Sequence, residues 1–310
     1  MRNIIKSFCF VIIFLVLLFL YIYLVMPKYN MDKYNMLDIA EFEILEEKKD
    51  TIDVLFVGDS LVYSGVSPME IWNEYGITSF DCATPAQLIE TSYNYIEKAI
   101  DTQHPKVIFL EANVIFRDAK KRKADRKWDD FENKYIFIDD YHDNWKSVFF
   151  GEGIININKG YVYINKTVKA DKSFDYMEKK EQEIIIPEIN FTYFEKIVKL
   201  CEDNNIKLIL FSIPSMKSWN YAKDVMVMDI KDKYNLEYID LNMNNPLEIN
   251  WEKETKDKGS HLNYISAKKV SHYLGNYIVT NNLAISHKDD SNYSSWNKSY
   301  EKYIKQLDID

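Results

Sequence analysis

Cysteine, proline, glycine and excess positive charge are all in short supply in this chain of 310 residues. Three cysteines occur: Cys9 in the apolar N-terminus, Cys82 and Cys201. They form no paired framework of the kind that staples a small secreted domain. A Cys82–Cys201 bridge is one arrangement, and two separately buried thiols the plainer one. No HExxH, CxxC or paired-histidine spacing is present, so nothing marks a metal site. Neither a Walker loop nor a Gly-x-Gly-x-x-Gly occurs, and no cofactor is expected. The net charge of −9 speaks against a general nucleic-acid binder, which would carry a basic face. Glycine and proline, at 8 and 7, are scarce in a way that points to no function. Internal repeats and low-complexity segments are absent too.

What is present suffices for a large folded body. An apolar fraction of 47% is ample for a core, and 28% charged residues argue against disorder. The most informative compositional feature is the charge-free apolar run from Phe8 to Met26, preceded by Arg2 and Lys6. About 19 residues at about 1.5 Å each give roughly 28 Å, close to the bilayer core. No small-x-small cleavage site follows, and Tyr21 and Tyr23 suit the membrane interface. Residues 1–27 are therefore expected to be an uncleaved signal anchor, with the basic tail inside and the large domain outside the cell. Residues 28–51 read as a polar juxtamembrane segment with a helical piece from Met36 to Leu45.

From residue 52 the chain alternates strand and helix. The apolar run Asp53-Val54-Leu55-Phe56-Val57 stops at Gly58-Asp59-Ser60, a buried strand ending in a tight turn. Ser67-Pro68-Met69-Glu70 predicts a helix start with a capping box, and Gly76 its end. A short strand at 79–82, a helix to about Thr102 and a strand over 106–112 follow, which implies parallel strands with right-handed crossovers. The alternation stops between about 117 and 187. This insertion opens with a basic run, Lys120-Lys121-Arg122-Lys123 with Arg126 and Lys127, then turns aromatic from Trp128. The basic run is either a solvated helix face or a contact for an anionic polymer or phospholipid head groups. The insertion is expected to cover the sheet's carboxyl edge. Helices over 191–204, 219–233 and 266–278 then alternate with strands at 207–213 and 238–241. In the tail, 286–310, Trp296, Tyr300, Tyr303 and Leu307 recur at helical spacing.

Three stations along this pattern carry chemistry. Acyl transfer by serine needs a hydroxyl, a base for its proton, a group to orient that base, and donors for the oxyanion. Ser60 follows a strand and precedes a helical turn, so it is the candidate nucleophile, with its own N–H free for an anion. His261, in the turn Asp257-Lys258-Gly259-Ser260-His261, is the candidate base, and Asp257 can orient it from the same turn. Asn113, just after a strand, is the candidate oxyanion donor. His142 is the rival base; His104, His272 and His287 read as structural or exposed.

Those stations, in that order, resemble the SGNH/GDSL hydrolase superfamily. The likeness is nearest to its membrane-anchored branch, which includes the DltD-like proteins and polysaccharide O-acyltransferases. Its text is Val57-Gly58-Asp59-Ser60, Thr84-Pro85-Ala86-Gln87, Phe109-Leu110-Glu111-Ala112-Asn113, Tyr141-His142-Asp143-Asn144-Trp145-Lys146 with Lys159-Gly160-Tyr161, and Gly259-Ser260-His261-Leu262-Asn263. The resemblance implies a flavodoxin-like three-layer α/β sandwich with a parallel sheet over about 52–285. It implies Ser60 and His261 as nucleophile and base and Asn113 as oxyanion donor. The second oxyanion donor, a backbone N–H usually on glycine, falls at Ala83. His142 and Trp145 would contact substrate. The superfamily's usual acid lies three residues before the histidine, where this chain has Lys258; a wider turn bringing Asp257 to His261 is expected, a dyad or an impaired site being the alternatives. The branch further implies acylation (D-alanylation or O-acetylation) of an anionic cell-wall or surface glycopolymer, with a membrane-bound O-acyltransferase as partner. A plain carbohydrate esterase and a non-catalytic scaffold or polymer-binding subunit are the other readings.

Overall fold

The computed structural model describes residues 2–25, 44–45, 47–118, 157–170, 175–180 and 182–307. The chain forms two compact units, residues 1–42 with 120–155, and residues 43–119 with 156–310. In the first, the described element is helix α1 (Arg2–Val25). Its side chains are described from 6 to 21 and all are exposed. Among the described residues no helix is long and apolar enough to cross a membrane. Most of the juxtamembrane piece from Met36, the basic run 120–127, His142 and Trp145 lie outside the described residues.

The second unit is built on five parallel strands in the order β2-β1-β3-β4-β5. These are β1 (Val54–Gly58), β2 (Ser79–Ala83), β3 (Val107–Glu111), β4 (Lys207–Ser212) and β5 (Glu237–Asp240). Every residue of β1 and of β3 is buried, as continuous apolar runs require when helices cover both faces of a parallel sheet. Strand alternation splits them between two cores: Leu55 and Val57 face one, Val54 and Phe56 the other. The first core is closed by α4 (Ile89–Gln103), α5 (Glu188–Asp203) and α6 (Tyr221–Tyr234) through Ile96, Ile197 and Val227. The second is closed by α2 (Ser60–Gly65) and α7 (Tyr264–Thr280) through Val62, Val270 and Leu274. The result is a three-layer α/β sandwich in the flavodoxin-type strand order.

Local chemistry sets the element ends. Helix α3 (Pro68–Tyr75) begins with proline at its first position and ends at Gly76, in the left-handed region at φ 69°. The expected capping box is not formed: Ser67 makes no side-chain cap bond. Its hydroxyl instead meets Tyr303, and Glu70 accepts from Tyr264 and Tyr303. Tertiary phenols outcompete the local backbone N–H groups for these two side chains. Strand β3 stops at Glu111 rather than 112, because the Glu111 carboxyl accepts from Asn113 N and starts a 3₁₀ turn over Ala112–Phe116. Cys82 and Cys201 are buried thiols, not bridged to each other, on the same face of the sheet. Helix α8 (Ser294–Leu307) seats Trp296 against Trp72 of α3, ring centroids 5.4 Å apart.

Candidate active site

Gly58 ends β1 where α2 passes close over β3. A Cβ there would lie 2.4 Å from Val62 Cγ2 and 2.7 Å from Glu111 Cβ, so only glycine fits. Asp59, fully buried, caps α2 by accepting from Leu61 N at 2.9 Å. Ser60 is therefore held at the first turn of the helix, at the carboxyl edge of the sheet.

The turn that carries His261 is clamped from several sides. Thr255 and Leu262 form an antiparallel bridge. Thr255 Oγ1 accepts from Gly259 N at 2.8 Å and donates to His261 O at 2.9 Å. Lys258 N donates to Val168 O, and Met216 N to Gly259 O. Lys258 and Gly259 are both left-handed, at φ 65° and 86°, and the turn they make folds the chain back so that Asp257 and His261 face each other. Asp257 Oδ1 accepts from His261 N at 2.7 Å, and Oδ2 meets His261 Nδ1 at 2.5 Å. On the other side of the ring, His261 Nε2 lies 2.7 Å from Ser60 Oγ. A carboxylate can only accept, so Nδ1 carries a proton, and in the neutral form of the ring it is Nε2 that presents a lone pair to the serine hydroxyl.

Asn113 is 5% exposed and its amide is pinned at both ends. Nδ2 donates to Asp59 Oδ2 at 3.1 Å, and Oδ1 accepts from Lys223 Nζ at 2.8 Å. The Arg117 guanidinium closes on the same Asp59 oxygen. One Nδ2 hydrogen serves Asp59; the amide has a second to offer. Ala83 ends β2 opposite Gly58 in the strand register. Beneath them Glu111 is wholly buried, and burial, reinforced by Asp59, pushes its carboxyl well above the ordinary range. Lys223 moves the other way: burial lowers its ammonium to about 8, against the pull of Glu111. Tyr63, one turn after Ser60, has its phenol pushed up by burial and by Asp59, while a hydrogen bond with Ser60 acts in the opposite sense.

No family model matches the chain, and no curated protein sequence matches it. Among solved structures the chain is similar to a GDSL-like lipase from Bacteroides thetaiotaomicron, at 9% identity and a TM-score of 0.43, covering 80% of this chain and 100% of that one. It is similar to the psychrotrophic esterase EstA from a Pseudoalteromonas species, at 10% identity and a TM-score of 0.41, covering 74% of this chain and 97% of that one. An acetyl xylan esterase is similar at 15% identity and a TM-score of 0.38, covering 73% and 100%. At scores of this order the chemistry of the site is read from its own geometry.

That geometry brings Ser60, His261 and Asp257 into one connected line and sets Asn113 beside it through Asp59. The remaining described histidines are engaged elsewhere: His104 with Asp50, His272 with Glu74, and His287 with Asp53. Sequence reasoning missed Tyr63, Glu111, Arg117 and Lys223. The first three lie within a few residues of a motif already singled out, so proximity alone could have flagged them. Nothing in the sequence ties Lys223 to Asn113. Among the described residues, no group of three His, Cys, Asp or Glu side chains could hold a metal ion. Two larger cavities, of about 480 and 710 Å³, are lined by none of Ser60, Asn113, Asp257 or His261.

Proposed function

We propose that this protein is a serine esterase or acyltransferase with a Ser60–His261–Asp257 triad. The observation that carries the reading is the unbroken pair of contacts, 2.7 Å from Ser60 Oγ to His261 Nε2 and 2.5 Å from Nδ1 to Asp257. Ser60 Oγ attacks the ester carbonyl carbon as its proton passes to His261 Nε2. Asp257 holds the ring in the required tautomer and stabilises the imidazolium. The oxyanion of the tetrahedral intermediate is met by the second Nδ2 hydrogen of Asn113 and by the backbone N–H groups of Ser60 and Ala83. Collapse breaks the ester C–O bond, and the alcohol leaves with the proton from His261. Water or an acceptor hydroxyl then attacks the acyl-serine, again with His261 as base, which gives hydrolysis or transfer respectively.

The finer reading is an extracytoplasmic, membrane-anchored enzyme acting in acylation of an anionic wall or surface glycopolymer beside a membrane-bound O-acyltransferase. The apolar run from Phe8 to Met26, the basic run at 120–127 and the resemblance to the DltD-like branch support it. The same resemblance assigns substrate contact to His142 and Trp145.

Labelling with a fluorophosphonate probe tests the nucleophile: the wild type is expected to label and Ser60→Ala to stay unlabelled while melting at the same temperature. An unlabelled wild type overturns the catalytic reading in favour of the scaffold. Incubating the protein with acylated polymer separates the two enzymatic readings. Net deacylation by the protein alone marks an esterase, and dependence of polymer ester content on both Ser60 and the membrane partner marks transfer.

A further inference from the structure

Beside Asn113 lies a cavity of about 190 Å³ walled by Asn113, Phe116, Arg117, Ser218 and Lys223. Two cationic side chains share it. Of the three ammonium protons of Lys223, one goes to Asn113 Oδ1 at 2.8 Å and one to Ser218 O at 2.7 Å, which leaves a third. Arg117 spends one terminal nitrogen on Asp59, and its Nε is buried with no acceptor among the described residues. Two acids stand nearby, Asp59 and Glu111. Asp59 supplies one carboxylate, already shared among Leu61 N, Asn113 Nδ2 and Arg117. Burial pushes the Glu111 carboxyl towards its protonated form, against Lys223 and Arg117. The cavity is thus walled by two cationic side chains with donors left over, and a buried donor such as Arg117 Nε is costly without an acceptor.

We infer that this cavity receives an anionic group of the ester substrate, a carboxylate or a phosphate carried within a few bonds of the scissile carbonyl. The inference rests on the Ser60 reading and specifies its substrate class. The anion sits across the Asn113 side chain from the reacting carbon. The Lys223 ammonium and the Arg117 fork supply charge-assisted hydrogen bonds. Phe116, 5.3 Å from Lys223 Nζ, gives the ammonium an apolar wall. Lys223 is charged below about 8, so preference for the anion is present below that pH and fades above it. The groups that face Lys223 are Asp59 at the cap of α2, Glu111 at the end of β3 and Arg117 after the 3₁₀ turn.

The anion can belong to the acyl side or to the alcohol side, and two matched ester pairs distinguish these. One compares 4-nitrophenyl hemisuccinate with 4-nitrophenyl butyrate; the other compares the acetyl ester of glycerol 3-phosphate with that of glycerol. In one pair the anionic ester is expected to have a kcat/KM at least about tenfold above its neutral counterpart, as charge-assisted contacts allow. In Lys223→Met that ratio falls to near one, mainly through KM. Independently of turnover, inorganic phosphate is titrated calorimetrically into Ser60→Ala protein. One site is expected, weakened about tenfold or more by adding Lys223→Met, and weakened likewise by Ser218→Glu, which places a competing carboxylate at the cavity without removing a buried partner. Turnover of neutral esters with no anion preference in either pair overturns the inference, as does an absent phosphate site. Loss of all turnover and of fluorophosphonate labelling in the wild type overturns the Ser60 reading instead, and the phosphate titration still decides the cavity.

Discussion

Asp257 makes two bonds to one residue, from Oδ1 to the His261 backbone and from Oδ2 to its ring. Asp257→Asn keeps the shape and loses the charge, and its amide can turn the imidazole to the wrong tautomer. We expect kcat to fall by about 10³–10⁴-fold, measured on any ester the wild type turns over, with the melting temperature little changed. Glu111 poses the opposite case, a buried acid whose role is structural. Its folded pKa lies well above the unfolded value, so the native state holds a proton that the unfolded state gives up. The stability this group allows is full below the ordinary carboxyl pKa and declines as pH rises above it. Glu111→Gln is uncharged at every pH. Its melting temperature is expected to exceed that of the wild type at pH 8, with the gap shrinking as pH falls towards 4.5. Melting curves across that range check the sign. Ser60, Asn113 and His261 were legible because each sits at a chemically odd place, a polar residue where an apolar strand stops or a Gly-containing turn begins. Lys223 was not, since a lysine on a helix normally faces water and only the folded chain sets it 2.8 Å from Asn113.

At the scale of elements, the motif Gly58-Asp59-Ser60 divides its labour by packing rather than by turn geometry. Gly58→Ala would drive a Cβ into Val62 and Glu111, and we expect a loss of about 1–3 kcal/mol in urea unfolding, with slower fluorophosphonate labelling because α2 must shift and carries Ser60 with it. The expectation that Asp257 reaches His261 across one extra residue is met by the turn of the consecutive left-handed residues Lys258 and Gly259, which folds the chain back. Lysine at φ 65° is strained where glycine is not. Lys258→Gly should therefore stabilise the fold by about 1 kcal/mol while leaving the labelling rate intact; a slower rate would mean that the lysine side chain itself matters. The capping box failed as a local expectation because phenols from α7 and α8, distant in sequence, claimed both of its side chains. Short-range patterns predict short-range bonds only when nothing from afar competes for them.

The order of layers, strands and crossovers in the second unit was readable because strands buried on both faces are apolar at every position, and α/β alternation permits few topologies. The stretch from 117 to 187 resisted because it lacks either period. One of its described parts, 157–170, joins the unit through scattered backbone bonds, such as Val162 N to Tyr63 O and Ala170 N to Trp251 O, and through side chains such as buried Lys159, which pairs with Glu47. Helix α8 closes the unit from the far end of the chain. Trp296 packs on Trp72, whose indole N–H donates to Asn297 at 3.1 Å. Trp296→Ala is expected to cost about 3–5 kcal/mol and to red-shift the emission of Trp72 as water reaches it, without abolishing labelling of Ser60 in protein that remains folded.

The last strand ends at Asp240, whereas the imidazole that meets Ser60 arrives twenty-one positions later. A chain cut anywhere between them keeps all five strands and Ser60, yet loses both the imidazole and α7, which closes the second core. One cut there thus removes the proton acceptor and the cover of a core together, so a silent fragment of that kind says nothing about the imidazole alone.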